Sequence, residues 1–343
     1  MPPSRTGWRR RGEKNSSAEA REAYLDRALE GFSGSIAIDE AYEPSCAIVS
    51  VVDNVLCRRL TCEVLPRKVT QAHVTDLLGR VRQTLEGRGL RVDGVCTDGS
   101  HLYPAALARV FPQATHQVCR FHAIAGVLLG AAKTARRLYR HYKRNLPRLG
   151  HGRPKRDQRE RVQDLRRREE RLADLYRKRQ LLLRRELDEA QDKDLRELCE
   201  HYPLLKDLRE LVVELYGLYQ CPDRDAAMTK LRQLRERAKR HAESSSGAAA
   251  AAELLSALNG PTLEKSLVYL DHRHGPAPAA PMPATSNAVE RSNRRFRKMQ
   301  KGVYRVRQPH QIRRRLALDM LREQRAAQRK RAIELLHRLR AAT

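Results

Sequence analysis

Residues 35–65 read SIAIDEAYEPSCAIVSVVDNVLCRRLTCEVL, and three β-rich runs lie within this stretch. The runs cover residues 35–39, 45–52 and 57–65, and the third alternates apolar with polar side chains, as a half-exposed strand does. The links between the runs are too short for a helical crossover. The stretch therefore predicts three antiparallel strands that follow one another in a meander.

Helical and strand patterns alternate after the meander. Residues 70–86 have a helical apolar stripe after Thr70, a plausible N-cap, and residues 91–97 form a β-rich run that ends at Asp98 and Gly99. A helix from Pro104 to about residue 110, a strand over 115–119 and a helix opening at 121–129 follow. The order β-β-β-α-β-α-β-α is that of a ribonuclease-H-like α/β fold, in which the later strands add in parallel to a mixed sheet.

The second half of the sequence is largely helical. Residues 133–243 contain few β-rich runs and predict an all-helical insertion, and a Pro/Ala-rich linker precedes two basic helices over 287–300 and 309–340. The predicted organisation is as follows: a basic, polar N-terminal arm over 1–30, the first part of the ribonuclease-H-like domain over 31–130, the all-helical insertion over 131–275, the linker over 276–284, and the completion of the ribonuclease-H-like domain with basic C-terminal helices over 285–343.

Positive charge is concentrated in two segments. The 343 residues carry a formal charge of +28 and the pI is near 10.5. Residues 31–128 hold 10 basic and 9 acidic side chains, whereas residues 136–185 hold 20 and 6, and residues 291–343 hold 18 and 3. A nearly neutral block between two strongly basic segments is typical of a polyanion-binding protein, and we expect double-stranded DNA as the partner.

Several classes of protein are excluded by composition. No apolar stretch is long enough to cross a membrane, and the N-terminal residues lack the apolar region of a secretory signal. Seven scattered cysteines indicate a reduced, intracellular protein rather than a disulfide framework. We therefore expect an intracellular protein, which in a bacterial cell would be cytoplasmic and associated with the nucleoid.

Two carboxylates end adjacent strands of the predicted sheet. Asp39 ends the first strand and Asp98 the fourth, so both open on one edge and can share divalent cations. Two Mg²⁺ or Mn²⁺ ions held there would suit phosphodiester chemistry, and Glu290 is the candidate for a third acid. Among rival acids, Asp53 is expected in a turn and Asp93 in mid-strand. Glu40 should point away from Asp39 if the strand continues.

Four ordered segments carry a family resemblance. IAIDE (36–40), VCTDGSHLYPAAL (95–107), VCRFH (118–122) and TSNAVERSNRRFR (285–297) resemble the catalytic blocks of DDE transposases from bacterial insertion sequences. The resemblance is nearest to the Mutator-like group, which has an all-helical insertion, and it covers roughly residues 31–310. It implies that Asp39, Asp98 and Glu290 are the catalytic, metal-binding acids, and that Cys119, His122 and Asn287 support them.

The resemblance also implies an activity. A metal-dependent transposase of this kind hydrolyses DNA at transposon ends and transfers the freed 3′-hydroxyls into target DNA. Joining two ends implies a homodimer or a larger assembly on DNA. Such families usually have a zinc-binding or helix-turn-helix module before the catalytic domain. The segment before residue 35 has no cysteine, histidine or clear helix pair. We therefore expect either a truncated member or end recognition by the insertion and the C-terminal helices.

Alternatives remain at this stage. One is a catalytically silent DNA-binding remnant of a transposase, and another is a stand-alone ribonuclease-H-like nuclease. Cys119 and His122 could also form half of a zinc site with His272 and His274. Phosphate contacts are expected from basic residues of the two charged segments. These are Arg291, Arg294, Arg295, Arg297, Lys298, Lys301, Arg136, Arg137, Arg140 and Arg144.

Overall fold

The computed structural model describes residues 18–147, 159–243, 248–272, 282–301 and 305–323. Contacts divide the chain into two compact units. The first comprises Met1–Cys119 with His274–Thr343, and the second comprises Arg120–Arg273. The domain limits drawn from the sequence stay predictions. None of the helices in the described part is long and apolar enough to cross a membrane.

The first unit contains a five-stranded mixed sheet. The strands are β1 (Ser35–Tyr42), β2 (Cys46–Asp53), β3 (Arg58–Pro66), β4 (Gly94–Thr97) and β5 (Thr115–Val118). Their order in the sheet is β3-β2-β1-β4-β5. The first three strands are antiparallel neighbours, and β4 and β5 add in parallel, so the predicted mixed sheet is confirmed.

Strand β4 begins three residues later than the sequence suggests. Asp93 is exposed, its side chain pairs with Arg91 at 2.7 Å, and its backbone N–H donates to the carbonyl of Gly34. Asp93 therefore lies ahead of the strand, and its placement in mid-strand was wrong. Pairing starts only at Gly94, opposite Ser35 of β1.

Helices cover both faces of this sheet. Ile36, Ile38, Val49 and Val51 face one layer, which includes α2 (Gln71–Glu86) and α3 (Tyr103–Val110). The neighbouring residues Ala37, Val52 and Cys96 face the opposite layer, where α11 (Asn287–Gln300) contributes Ala288 and Val289. The alternation of strand side chains therefore gives a separate apolar surface to each layer of helices. A further helix of the first unit, α1 (Ala18–Ala28), contacts β3.

Helix α2 follows the sequence prediction closely. The Thr70 hydroxyl accepts a hydrogen bond from the His73 N–H at 3.3 Å, and the His73 Nδ1 accepts one from the Thr70 N–H at 3.2 Å. This reciprocal cap stabilises the first turn. The five residues of the predicted apolar stripe are all buried: Val74, Leu77, Leu78, Val81 and Leu85.

The described part of the second unit is helical. Its long first helix (Arg120–Arg144) packs against the helices Pro203–Leu218 and Ala248–Asn259, which places the first helix in this unit. Residues 179–183 and 268–272 form 3-10 turns. The α-helices are α4 (Arg120–Arg144), α5 (Arg159–Lys178), α6 (Glu189–His201), α7 (Pro203–Leu218), α8 (Arg224–Glu243), α9 (Ala248–Asn259) and α10 (Pro261–Lys265).

A buried ionic network fixes α11 to the sheet. Arg59 of β3 is 2% exposed, and it donates to the Ser292 hydroxyl at 2.6 Å and to Asp319 at 3.2 Å. Asp319 lies on the C-terminal helix, residues 309–323, and also accepts from Arg295 at 3.2 Å. Glu323 pairs with both arginines. These bonds link β3, α11 and the C-terminal helix within the first unit.

Candidate active site

Asp39 and Asp98 come together at one edge of the sheet. Asp39 lies within β1, beyond the pairing of β1 with β4, and β1 continues to Tyr42, so the prediction that the strand ends at Asp39 was wrong. Asp98 directly follows β4, as predicted. The chain turns sharply there, because Gly99 has a φ of +92° and the Asp98 Oδ1 accepts from the Ser100 N–H at 2.8 Å. Carboxylate oxygens of Asp39, Glu40 and Asp98 lie within 4.8 Å of one another.

Glu290 reaches the same electrostatic environment from α11. It lies in the first turn of the helix, and the Ser286 hydroxyl donates to its Oε1 at 3.3 Å. The charge of Glu290 raises the pKa of Asp39, as does the charge of Asp98. Glu290 therefore acts electrostatically on Asp39, although the two residues are 251 positions apart in the sequence.

Asn293 holds Asp39 in place, and sequence reasoning missed it. Its Nδ2 donates to the Asp39 Oδ2 at 2.9 Å, and its Oδ1 accepts from the Ser50 hydroxyl at 2.9 Å. Ser50 is the residue of β2 that pairs directly with Asp39. The position of Asn293 in the sequence could have identified it, because it is a polar residue three positions after Glu290 on the apolar face of α11. In the structure Asn293 is 2% exposed. A buried amide of this kind needs partners, and here it orients a carboxylate of the candidate site.

Burial makes the two neighbouring carboxyls of β1 unusually basic. It raises the pKa of Asp39 to about 6, against the lowering effect of the Asn293 hydrogen bond. Burial also raises the pKa of Glu40 to about 7, while the nearby Tyr103 hydroxyl lowers it and the charges of Asp98 and Asp39 raise it. Burying several negative charges together costs free energy, which is typical of functional sites rather than of stabilising ones.

Glu40 is closer to the site than the sequence suggested. As strand alternation requires, Glu40 lies on the face of β1 that is turned towards Tyr103 of α3. Asp39 lies on the opposite face of β1, which is turned towards Asn293 of α11. Its carboxylate nevertheless comes within 4.8 Å of those of Asp39 and Asp98. The expectation that Glu40 points away from Asp39 in a continuing strand therefore holds for the face of β1, but it does not separate the two carboxylates. Because β4 ends before this level, the edge of β1 is open there and both faces reach Asp98.

Asp53 is a turn former, as expected. It is fully buried, and its Oδ1 accepts from the N–H groups of Val55 and Leu56 at 3.0 and 2.8 Å. Ser33 donates to both carboxylate oxygens through its N–H and its hydroxyl. These four hydrogen bonds fix the turn between β2 and β3 and leave Asp53 outside the candidate site.

The supporting residues have different surroundings. Cys119 is fully buried in the apolar cluster of Ala37, Val52, Cys96, Ala288 and Val289. Its thiol also lies within 4.8 Å of a carboxylate oxygen of Glu290. His122 is exposed in the first turn of α4, and Asn287 begins α11. For the zinc alternative, the side chain of His272 and the whole of His274 lie outside the described residues.

The candidate DNA-contacting residues divide into exposed and ion-paired ones. Arg295 pairs with Asp319 and Glu323, and Arg137 pairs with Glu253 at 2.6 Å. Within the described chain no ion pair is found for the remaining eight, which are exposed: Arg291, Arg294, Arg297, Lys298 and Lys301 in the first unit, and Arg136, Arg140 and Arg144 on α4.

The carboxylate cluster is chemically suited to a hard divalent cation. Among the described residues, no lysine or arginine pairs with Asp39, Glu40 or Asp98. The Glu40 Oε1 is buried without a hydrogen-bond partner. All of these ligand atoms are carboxylate oxygens, which Mg²⁺ and Mn²⁺ prefer. The residues present therefore fit the cations that the sequence implied.

Comparison with known protein families decides the family. The sequence model of the ISL3 family of DDE-type transposases matches residues 36–264, about two thirds of the chain. The chain belongs to this family. A comparison with curated proteins gave no match. The matched range contains Asp39, Glu40 and Asp98 of this insertion-sequence transposase, whereas Glu290 lies beyond it.

The assignment to the Mutator-like group within the DDE transposases was wrong. The family found for this transposase is ISL3, which is a different family. The four blocks on which the resemblance rested are short, and they did not separate the two families. The coarser assignment to DDE-type transposases of insertion sequences is confirmed.

The raised pKa of Asp39 predicts a pH-dependent stability of the metal-free transposase. A carboxyl whose pKa is raised by folding binds its proton more tightly in the folded state. Its destabilising effect is absent below about pH 4 and complete above about pH 6. Asp39→Asn should therefore stabilise the protein at pH 7.5 by on the order of 2 kcal/mol, and by much less at pH 4.5.

Urea unfolding in the presence of a chelator measures this difference at both pH values. Asp76→Asn is the matched control, because Asp76 is exposed on α2. The control should change stability little at either pH. An Asp39→Asn effect that is equal at the two pH values would contradict the assignment of a raised pKa.

Proposed function

We propose that this transposase cleaves DNA at transposon ends by two-metal hydrolysis and transfers the resulting 3′-hydroxyls into target DNA. The supporting observation is the meeting of Asp39 and Asp98 at an open sheet edge, with Glu290 acting electrostatically on Asp39. The strand order and the antiparallel meander support a ribonuclease-H-like arrangement for the first unit.

The residues have separate tasks in this proposal. Asp39, Asp98 and Glu290 supply oxygen ligands for two Mg²⁺ or Mn²⁺ ions. Cations bound in this way activate an attacking oxygen and stabilise a leaving oxygen of a phosphodiester. Asn293 fixes the carboxylate of Asp39, and Ser50 fixes the amide of Asn293. Ser286 holds one oxygen of Glu290.

The same site serves both reaction steps. In hydrolysis, the oxygen of water attacks phosphorus and the bond to the 3′ oxygen breaks, which leaves a free 3′-hydroxyl. In strand transfer, that hydroxyl attacks a target phosphate and displaces another 3′ oxygen. No covalent bond between protein and DNA is needed. Since two ends must be joined, we propose that a homodimer or a larger assembly acts on DNA.

A cleavage assay tests this function. Full-length protein is incubated with short duplexes carrying the ends of the element, with Mg²⁺, Mn²⁺ or a chelator, and nicks are resolved on a denaturing gel. Nicking that depends on the cation is the expected result. Tight DNA binding without nicking under either metal would support a catalytically silent remnant instead. Cleavage of any duplex regardless of end sequence would support a stand-alone nuclease.

DNA binding is proposed for the exposed basic residues rather than for all ten. Arg291, Arg294 and Arg297 follow Glu290 on α11 and point into solvent, so they are placed to contact phosphates near the cleaved strand. Arg136, Arg140 and Arg144 recur every fourth residue on α4 and form a second basic row. Arg295 and Arg137 are already paired with acids, so we assign them to folding.

Replacing Arg291, Arg294 and Arg297 together by Gln should weaken DNA binding and its salt dependence. Each lost phosphate contact lowers the slope of log K against log salt concentration by about 0.9, so the slope should fall by about 2 to 3. Fluorescence anisotropy with labelled duplex at several salt concentrations measures it.

The matched control removes the same charge from the same unit. Arg80, Arg82 and Arg91 are ion-paired with Glu63, Glu86 and Asp93 respectively. Their triple replacement by Gln should leave the slope nearly unchanged. Equal losses in the two triple variants would indicate that only net charge, and not the surface of α11, determines binding.

A further inference from the structure

A buried tyrosine hydroxyl lies against the carboxylate cluster. Tyr103 is the first residue of α3 and is fully buried in the core between α3 and the sheet. Its hydroxyl has no partner of ordinary hydrogen-bond geometry within the described chain. The charged groups that act on it are Glu40, Asp98 and Asp39. A polar group is therefore directed from the core into the candidate site.

Glu40 has the complementary feature. Its Oε1 is also buried without a partner, although the carboxylate lies within 4.8 Å of those of Asp39 and Asp98. An unsatisfied buried polar group costs free energy, and the cost is larger when the group is charged. Two such groups side by side, at the edge where the proposed cations bind, are not explained by the stability of the fold.

We propose that Glu40 is a further cation ligand beside Asp39 and Asp98, and that the Tyr103 hydroxyl positions its carboxylate. This inference rests on the proposed function, because the cations are those of the proposed cleavage site. A tyrosine hydroxyl can donate one hydrogen bond to a carboxylate oxygen. The bond occupies one oxygen of Glu40 and directs the other towards the carboxylates of Asp39 and Asp98.

The faces of β1 explain why two residues in succession can take part. Asn293 holds Asp39 from the α11 side, and Tyr103 lies on the α3 side, from which its hydroxyl would hold Glu40. The two carboxylates thus approach the open edge of β1 from opposite faces, with Asp98 at that edge. Fixing each ligand from its own layer limits side-chain motion, which is the usual task of groups behind metal ligands.

Mn²⁺ binding tests the inference without requiring activity. The full chain is titrated with Mn²⁺, and free ion is measured by electron paramagnetic resonance. Glu40→Gln should weaken the tighter binding by about 10- to 100-fold, and Tyr103→Phe by about tenfold. Glu40→Asp keeps the charge but shortens the side chain, so it should weaken binding less than Glu40→Gln does. It also provides a second variant if Glu40→Gln does not fold.

The chain offers matched controls for both changes. Glu43→Gln removes a nearby carboxylate that pairs instead with Arg305 at 3.1 Å. Tyr24→Phe removes another buried hydroxyl, which donates to the Arg59 carbonyl at 2.7 Å away from the cluster. Neither control should change the Mn²⁺ affinity by more than about twofold, which sets the resolution of the test.

The variant Asp98→Asn distinguishes a failure of the proposed function from a failure of the inference about Glu40 and Tyr103. If Asp98→Asn weakens Mn²⁺ binding while Glu40→Gln and Tyr103→Phe bind it normally, the inference is overturned and the proposed function stands. If Asp98→Asn binds Mn²⁺ normally, the proposed function and the inference are both overturned. Weakened binding in Glu40→Gln with normal binding in Tyr103→Phe would overturn the positioning role of the tyrosine.

Discussion

Asp98→Asn is expected to reduce cation-dependent nicking of transposon ends about a thousandfold while DNA binding is retained. Removal of one group that stabilises charge in the transition state commonly lowers the catalytic rate by a factor of about a hundred to a thousand. A thousandfold loss corresponds to about 4 kcal/mol of activation free energy. Asn is nearly isosteric with Asp, so the Ser100 N–H can still bond to its Oδ1. The loss would therefore arise from the missing charge rather than from a changed turn.

Two further measurements isolate the cause. DNA affinity, measured by anisotropy, should be unchanged, because the exposed cations of α11 and α4 are untouched. Thermal stability of the metal-free protein should not fall, since one of several clustered negative charges is removed. Asp76→Asn, on the exposed surface of α2, should nick at the wild-type rate. Wild-type nicking by Asp98→Asn would exclude this carboxylate from the reaction.

Arg59→Ala is expected to destabilise the protein by about 3–5 kcal/mol. Removing one partner of a buried ionic network leaves the other charges buried and poorly compensated. Arg59 is 2% exposed and bonds to Ser292 and Asp319, and Glu323 lies 3.8 Å from it. Equilibrium unfolding in urea measures the loss, and the midpoint should shift without a large change in slope.

The same variant should also impair cleavage. Arg59 holds Ser292, which lies two residues after Glu290 and one before Asn293 on α11. A loosened α11 would misplace both the third acid and the amide that orients Asp39. Arg91→Ala is the control, because Arg91 is exposed and its pair with Asp93 lies at the surface.

The control should cost less than about 0.5 kcal/mol. The double variant Arg59→Met with Asp319→Leu should lose less stability than Arg59→Ala alone, because apolar side chains replace two buried charges. A cost of under about 1 kcal/mol for Arg59→Ala would contradict a buried network.

Local patterns sufficed for most of the elements. The stripe of α2, its cap at Thr70 and the limits of α11 follow from residues close in sequence, and the structure reproduces them. The strands of the meander were visible for the same reason, because alternation and short links are local properties. The start of β4 was misplaced, since Arg91 and Asp93 continue the β-like pattern although they do not pair with β1.

The sequence by itself determined the alternation of strands and helices, the position of Asp98 directly after β4, and the segregation of positive charge. Only the tertiary structure decided which distant side chains meet there: Asn293 and Ser50 on one face of β1, and Tyr103 with Glu40 on the other. It also distinguished the exposed arginines of α11 for which no ion pair is found in the described chain from Arg295, which is exposed as well but pairs with the buried Asp319. The reason is physical, because periodicity records the face on which a residue lies, whereas contacts across a sheet depend on the packing of helices far apart in the chain.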